Sequence, residues 1–134
     1  MSSMMAGASA VAVSEVLKYA VNRSRPNDER GALSFGDGRR RSDSGFPSVH
    51  VALAWGVVTP YAKHYDMPWL YGAAALTNAA RVMGRDHWFS DTVAAAALGY
   101  VAGDWIYRER LGAKLDKASL SIGPRSVTWN MRFD

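Results

Sequence analysis

The sequence contains no cysteine among its 134 residues. That absence excludes disulfide bonds, thiolate nucleophiles and cysteine-ligated zinc or iron–sulfur centres. Long apolar runs are lacking as well: the uncharged stretches 51–62, 67–80 and 92–103 are all shorter than the roughly 18 to 20 residues that span a bilayer. Residues 1–13 have no basic segment ahead of their apolar residues, so we predict no intact signal peptide. Any catalysis must therefore depend on histidine, hydroxyl, carboxyl and basic side chains.

Basic residues outnumber acidic ones, 16 to 12, which gives a formal net charge of +4. This balance favours anionic partners such as phosphate esters, anionic lipid surfaces or nucleic acid. The arginines are concentrated between Arg23 and Arg41 and again at Arg81 and Arg85, which indicates a local anion site. The sequence has no helix-turn-helix, zinc-finger or aromatic RNA-binding motif, so we do not expect nucleic acid as the partner.

The length of the chain fits one domain. Apolar patterning predicts helices over 4–21, 48–63, 69–82 and 89–110, with a connection over 61–68. A long loop over 25–45 carries a triple arginine, 39–41, which we interpret as a solvated charge run, with recruitment of an anionic substrate as the alternative role. Residues 119–122 and 127–133 alternate with period two around a Gly-Pro pair, which predicts a hairpin. We expect an all-α bundle of about four core helices over 1–117 and a short hairpin-like tail over 118–134.

Three separated clusters combine basic, hydroxyl and imidazole groups. They are Lys18 with Arg25 and Pro26, then Pro47-Ser48-Val49-His50, then Arg81 with His87 and Asp91. Together they provide cations that neutralise a phosphoryl dianion, and a hydroxyl and imidazoles that act as nucleophile or acid. A helix that begins after Pro47 also points unpaired backbone N–H groups at a bound phosphate. The clusters therefore predict one phosphate site, at one end of the bundle.

The three clusters closely resemble the three-part signature of the type 2 phosphatidic acid phosphatase superfamily, which also contains vanadium haloperoxidases and bacterial class A acid phosphatases. Six residues separate Lys18 from Arg25, five separate Arg81 from His87, and three separate His87 from Asp91. One such cluster would be a weak signal. Three in the family's order, spanning residues 18–91, form a specific one.

The resemblance implies a role for each matching residue. His87 attacks phosphorus to form a phosphohistidine, with Asp91 hydrogen-bonded to the far nitrogen of its ring, and His50 protonates the leaving alkoxide and later activates water. The remaining matching groups hold the phosphate oxygens: Lys18, Arg25, Arg81, the Ser48 hydroxyl and the Val49 N–H. The implied activity is hydrolysis of a phosphomonoester or pyrophosphate, of a lipid or another organic compound, without a metal cofactor. Vanadate is expected as an inhibitor.

Two positions depart from the family pattern, since Val49 replaces a usual Gly and Ala80 a usual Ser. Ala80 removes one phosphate donor, and the β-branched Val49 narrows the pocket or forbids a positive φ. A degenerate phosphate-binding or structural module therefore stays an alternative, as does a vanadate-dependent haloperoxidase, although those enzymes are usually far larger. A metal site built from His50, His87 and Asp91 is opposed by the surrounding cations.

Family members commonly sit in or on membranes with the site facing the periplasm or exterior. The resemblance therefore implies a membrane-associated or periplasmic protein whose partner, besides the substrate, is a membrane or membrane surface. The chain looks like the catalytic half of such an enzyme, which allows a homo-oligomer to complete the bundle. His64 has no motif around it, and we expect it to be an exposed residue without a role in the site.

Overall fold

Four helices dominate the computed structural model, which describes residues 2–36, 44–123 and 126–131, with side chains described up to residue 110. The helices are α1 (Ser2–Val21), α2 (Val49–Tyr65), α3 (Leu70–Met83) and α4 (Phe89–Lys117). A 3₁₀ turn at Pro26–Asp28 lies between α1 and α2. The strands β1 (Ala118–Gly123) and β2 (Ser126–Met131) pair in an antiparallel hairpin. The predicted all-α bundle is confirmed.

Helix α2 packs against the other three helices. Consecutive helices run in opposite directions: the early part of α1 lies against the middle of α2, and the late part of α3 lies against the start of α4 while its early part lies further along α4. Ala10 of α1 and Ala52 of α2 share the buried core with Ala95 of α4. Between α2 and α3, Trp55 Nε1 donates a hydrogen bond of 3.0 Å to Asn78 Oδ1. This alternation brings the carboxyl ends of α1 and α3 and the amino ends of α2 and α4 to the same end of the bundle.

Small residues make the close packing of α2 possible. Gly99 of α4 lies so near α2 that an added Cβ would come within 2.9 Å of the Gly56 nitrogen. Gly56 itself faces α1, where an added Cβ would be 3.0 Å from the Ala6 carbonyl oxygen. Backbone contact this close requires glycine at Gly99, because even the Cβ of alanine would overlap the facing helix. The core therefore consists mostly of small side chains instead of large aliphatic ones.

Several helix boundaries differ from the sequence prediction. α2 continues through Pro60, which is buried inside the helix, and ends at Tyr65, so the connection to α3 shrinks to four residues, 66–69. Pro47 lies ahead of the N-cap residue Ser48 and not in the first turn of α2. α4 extends to Lys117, seven residues beyond the predicted end. Pro60 lies against α4, where a Cβ added to Gly103 would be 3.1 Å from the Pro60 Cδ, so packing between helices stabilises a turn that proline does not favour.

Helix α1 is longer than any of the uncharged stretches identified in the sequence. Within the described part of the chain, it is the one helix long and apolar enough to cross a membrane. Its two charged residues, Glu15 and Lys18, form an ion pair of 3.4 Å three residues apart. The helix is 20 residues long, because its uncharged start continues without a break into this paired segment. Length and composition alone give only weak support for a membrane span, since core helices and signal sequences share both properties.

The triple arginine and His64 are two features predicted from the sequence to lie outside the site. The triple arginine, 39–41, lies outside the described residues. His64 is exposed in the last turn of α2, where its ring packs edge-on against Tyr65.

Candidate active site

The three clusters meet at the end of the bundle that the helix directions bring together. Lys18 is in the last turn of α1 and Arg81 in the last turn of α3, while Ser48 precedes α2 and His87 precedes α4. Arg25 lies in the segment after α1, where its side chain runs beside Gly45. Residues that are up to 73 positions apart in the chain, from Lys18 to Asp91, are therefore grouped by the fold.

Ser48 is the N-cap residue of α2 and is completely buried. Its hydroxyl does not cap the helix, and it lacks a hydrogen-bond partner among the described residues. An unpaired buried hydroxyl is costly, so a group outside the protein chain is expected to bind it. The first N–H groups of α2 also lack partners within the helix. This end of α2 is therefore a local site for an anion.

His50 is the second residue of α2 and has an exposed side chain. Partial loss of hydration lowers its pKa, and the positive charges of Arg81, Lys18 and Arg25 lower it further. Asp86 acts in the opposite direction. These influences show that one residue from each cation-bearing segment lies near the His50 imidazole.

His87 is buried in the turn between α3 and α4. Its Nδ1 lies 2.6 Å from the carbonyl oxygen of Gly45. Because a carbonyl oxygen only accepts hydrogen bonds, the neutral ring carries its proton on Nδ1 and leaves the Nε2 lone pair available. Burial lowers the pKa of His87, as do Arg25 and Arg81, whereas the Gly45 contact and Asp86 raise it. Arg25, Arg81 and Asp86 thus act on both histidines.

Asp91 has a different set of partners from the one that the resemblance implies. One carboxylate oxygen accepts the Trp88 N–H at 2.9 Å, and the other forms an ion pair with Arg23. The Gly45 carbonyl holds the His87 ring in the place expected for Asp91. The reason is local: His87 precedes the helix, so Asp91, in the first turn of α4, reaches back to cap Trp88. Burial raises the pKa of Asp91, although Trp88 and Arg23 oppose the rise.

The phosphate-binding candidates differ in how they are engaged. Arg81 forms an ion pair of 2.9 Å with Asp86, and Lys18 pairs with Glu15. Val49 is the first residue of α2 and has no positive φ, so the backbone objection to valine at this position does not apply. Ala80 is exposed on α3 beside Arg81.

Three residues in this region were not identified from the sequence. Arg23 pairs with Asp91, Gly45 holds His87, and Asp86 pairs with Arg81. Asp86 is adjacent to His87 in the chain, so the unmatched positions inside the motifs could have drawn attention to it and to Arg23. Gly45 had no signal, because its contribution is a backbone carbonyl that any residue type supplies.

The metal alternative finds no support in the arrangement of acidic and imidazole groups. Among residues 2–36 and 44–110, whose side chains the structure describes, no group of three or more His, Asp or Glu residues is placed to hold a metal ion. His50, His87 and Asp91 therefore do not form a ligand set.

Comparison with known proteins gives two matches. The model of the PAP2 superfamily matches residues 1–112. A lipid A 1-phosphatase from Porphyromonas gingivalis is 32% identical in an alignment 133 positions long that covers 78% of this chain. The chain spans only 29% of the length of that relative. No solved structure matches significantly. Since the family model covers most of the chain, including all three clusters at the bundle end, the chain belongs to the PAP2 superfamily.

Proposed function

We propose that this protein is a phosphatase that hydrolyses a phosphomonoester or pyrophosphate, of a lipid substrate, without a metal cofactor and through a phosphohistidine on His87. The observation that carries the proposal is the grouping of two imidazoles with shared cations around an unpartnered hydroxyl. Arg25 and Arg81 act on both His50 and His87, and the Ser48 hydroxyl is buried without a partner in the described chain.

In this proposal the phosphoryl group lies at the amino end of α2. Lys18, Arg25 and Arg81 neutralise its charge, and the Ser48 hydroxyl and Val49 N–H donate to its oxygens. Arg81 exchanges its Asp86 partner for the phosphate on binding. Phosphoryl transfer depends mainly on positioning and charge stabilisation, which this set of donors provides.

The chemistry proceeds in two displacements. His87 Nε2 attacks phosphorus while the bond from phosphorus to the alcohol oxygen breaks, and the leaving oxygen takes a proton from His50. Neutral His50 then removes a proton from water, whose oxygen attacks phosphorus as the bond to Nε2 breaks. Inorganic phosphate leaves, and both histidines return to their starting protonation states. The proton on Nδ1 of His87 stays on that nitrogen throughout and remains hydrogen-bonded to the Gly45 carbonyl oxygen.

A lipid substrate is supported by the relative, which is named a lipid A 1-phosphatase. It is also supported by exposed apolar side chains near the site, where Phe89 and Met83 flank the turn that carries His87. Membrane association follows the same line: α1 is apolar and long enough to span a membrane. We place the site on the periplasmic or outer side of that membrane.

We expect His87→Ala to abolish turnover of a chromogenic phosphate monoester and of phosphatidic acid in detergent micelles. The reason is that His50, the other imidazole of the site, is assigned to proton transfer, so the variant has no group left to attack phosphorus. The measurement is steady-state phosphate release in excess chelator, with circular dichroism to check folding. The matched control is His64→Ala, which changes an exposed histidine at the opposite end of α2 and is expected to retain full activity.

Other results would contradict the proposal. Turnover by a folded His87→Ala variant would exclude His87 as the nucleophile. A wild-type rate that disappears in chelator and returns with a divalent cation would indicate metal chemistry. Halide oxidation after vanadate loading, without phosphate release, would favour the haloperoxidase alternative. No turnover at all would favour the degenerate module.

A further inference from the structure

Arg23 lies two residues beyond α1 and is buried, although the phosphate site does not use it. Its Nε donates a hydrogen bond of 2.8 Å to the Ala32 carbonyl oxygen. Its Nη1 donates to the Ser90 hydroxyl at 2.8 Å and pairs with Asp91. The guanidinium also lies 5.9 Å from the centre of the Trp88 ring. A charged group is buried in this way only where it is paired and hydrogen-bonded.

The backbone of Arg23 reaches the same region by a second route. Its carbonyl oxygen accepts the Gly45 N–H at 2.7 Å, and its own N–H donates to the Ser44 hydroxyl at 3.0 Å. The Gly45 carbonyl oxygen then holds His87 Nδ1 at 2.6 Å. Gly45 therefore links the backbone of Arg23 to the imidazole of His87 through two hydrogen bonds.

These contacts close into a ring around His87. From Arg23 the backbone route passes through Gly45 to the imidazole of His87. The side-chain route passes through Asp91 to the backbone N–H of Trp88, the residue after His87. Both the ring and the main chain of His87 are thus held by groups that Arg23 holds.

We propose that Arg23 is a positioning residue that fixes the His87 imidazole for attack by anchoring both Gly45 and Asp91. The kinetic consequence rests on the proposed function. Arg23 does not serve as a phosphate ligand, because its Nε and Nη1 are committed to Ala32, Ser90 and Asp91 inside the protein. Asp91 accordingly positions His87 by holding the Trp88 N–H at the start of α4 and by pairing with Arg23. It does not hydrogen-bond to the His87 imidazole, which contacts Gly45 instead.

The test compares Arg23→Gln and Arg23→Lys with the wild type. We expect Arg23→Gln to lower kcat by on the order of 10²-fold, because a displacement of about 1 Å in the attacking group has effects of that size. The KM is expected to stay within about twofold, since substrate contacts are intact. Arg23→Lys can still pair with Asp91 and should restore part of kcat. The matched control is Arg108→Gln, which removes an exposed arginine at the far end of α4 and should leave both constants unchanged.

A double variant tests the route through Asp91. If Arg23 acts through Asp91, then Arg23→Gln combined with Asp91→Asn should lower kcat no further than the more damaging single change. Additive losses would overturn the coupling. A folded Arg23→Gln variant with the wild-type kcat, or one in which only KM rises, would overturn the positioning role.

A spectroscopic measurement separates this inference from the proposed function. The chain has three histidines, so the imidazole ¹⁵N signals of His87 can be assigned by comparison with His87→Gln. We expect the Nδ1–H tautomer in the wild type and a mixture of tautomers in Arg23→Gln. The substitution keeps the backbone bond from Gly45 to Arg23, but it removes the side-chain route through Asp91 and so shifts the His87 ring relative to the Gly45 carbonyl. An unchanged tautomer in Arg23→Gln would contradict positioning, whether or not the wild type turns over phosphate esters. If Arg23→Gln does not fold, kcat and the His87 tautomer are measured on Arg23→Lys instead. A kcat and a tautomer equal to those of the wild type would then contradict the proposal.

Discussion

The two histidines of the site have opposite requirements in the proposed reaction. His87 must be neutral to attack, so the rate rises with pH through its pKa, whereas His50 must be protonated to donate, so the rate falls above its pKa. The pKa of His87 lies below the ordinary value of 6.5, chiefly because the ring is buried. The pKa of His50 is also lowered, through loss of hydration and the nearby Arg81.

We therefore expect kcat/KM to reach its maximum below pH 6.5, since both limits of the profile are moved to the acid side. The measurement is kcat/KM against pH, corrected for ionisation of the substrate. His64→Gln serves as the control and should reproduce the wild-type profile. A maximum above pH 7 would contradict the assigned roles.

Ala80 is the departure from the family pattern that the structure makes testable. Its position on α3 beside Arg81 is exposed, so a serine hydroxyl can be added there without overlap. We expect Ala80→Ser to raise kcat/KM by up to about tenfold, because one hydrogen bond contributes about 1 kcal/mol. Ala79→Ser makes the same change one position earlier on an exposed part of α3 and should have no effect. A loss of activity in Ala80→Ser would show that the pocket has been rebuilt around alanine.

At the scale of the helices, the contact between α2 and α4 depends on the absence of a side chain at Gly99. An added Cβ would overlap the Ala52 carbonyl oxygen and lie 2.8 Å from the Trp55 Cβ. Both are parts of α2 that cannot move aside without separating the helices. Because α2 and α4 carry His50 and His87 at one end, their separation also changes the distance between the two imidazoles.

We expect Gly99→Ala to lower the free energy of unfolding by about 1 to 3 kcal/mol, the usual range for overpacking. Gly72→Ala is the control, because nothing lies within 4 Å of the added Cβ on α3. That change should instead stabilise the protein by about 0.5 to 1 kcal/mol through helix propensity. Denaturant unfolding followed by circular dichroism measures both. Equal effects of the two substitutions would contradict the close packing described here.

At the scale of the whole molecule, the helices leave large apolar side chains on the outside. Val16 of α1, Leu76 of α3, and Val101 and Trp105 of α4 are all more than 60% exposed. Exposed apolar surface on several helices is typical of proteins that contact a membrane or another protein chain. The net charge of +4 adds an attraction to anionic lipid.

We expect the protein to float with phospholipid vesicles in a density gradient, more completely with anionic than with zwitterionic vesicles at low salt. Apolar contact should keep part of it bound at high salt, where electrostatic attraction is screened. Leu76→Lys combined with Val101→Lys should reduce flotation, and Arg108→Gln should not. A soluble oligomer by light scattering, with no flotation, would favour self-association as the means of covering these surfaces.

The number and approximate positions of the helices, the three clusters and the candidate residues within them could be predicted from the amino-acid sequence. Each depends on short-range information. Runs of small and apolar residues favour helices even though isolated glycines interrupt them, and the spacing of Arg81, His87 and Asp91 is read within one segment. The family also follows from the sequence alone, since its signature consists of residue types at fixed separations.

The tertiary structure decided how these residues are connected. His87 is held by Gly45, 42 positions earlier, and Asp91 is paired with Arg23, 68 positions earlier. Neither contact has a local pattern, because one uses a backbone carbonyl and the other a buried arginine among many basic residues. The passage of α2 through Pro60 is of the same kind, since packing of Pro60 against α4 compensates for an unfavourable local residue. Contacts between residues far apart in the chain determine which partner each of these groups has, and those contacts exist only in the folded protein.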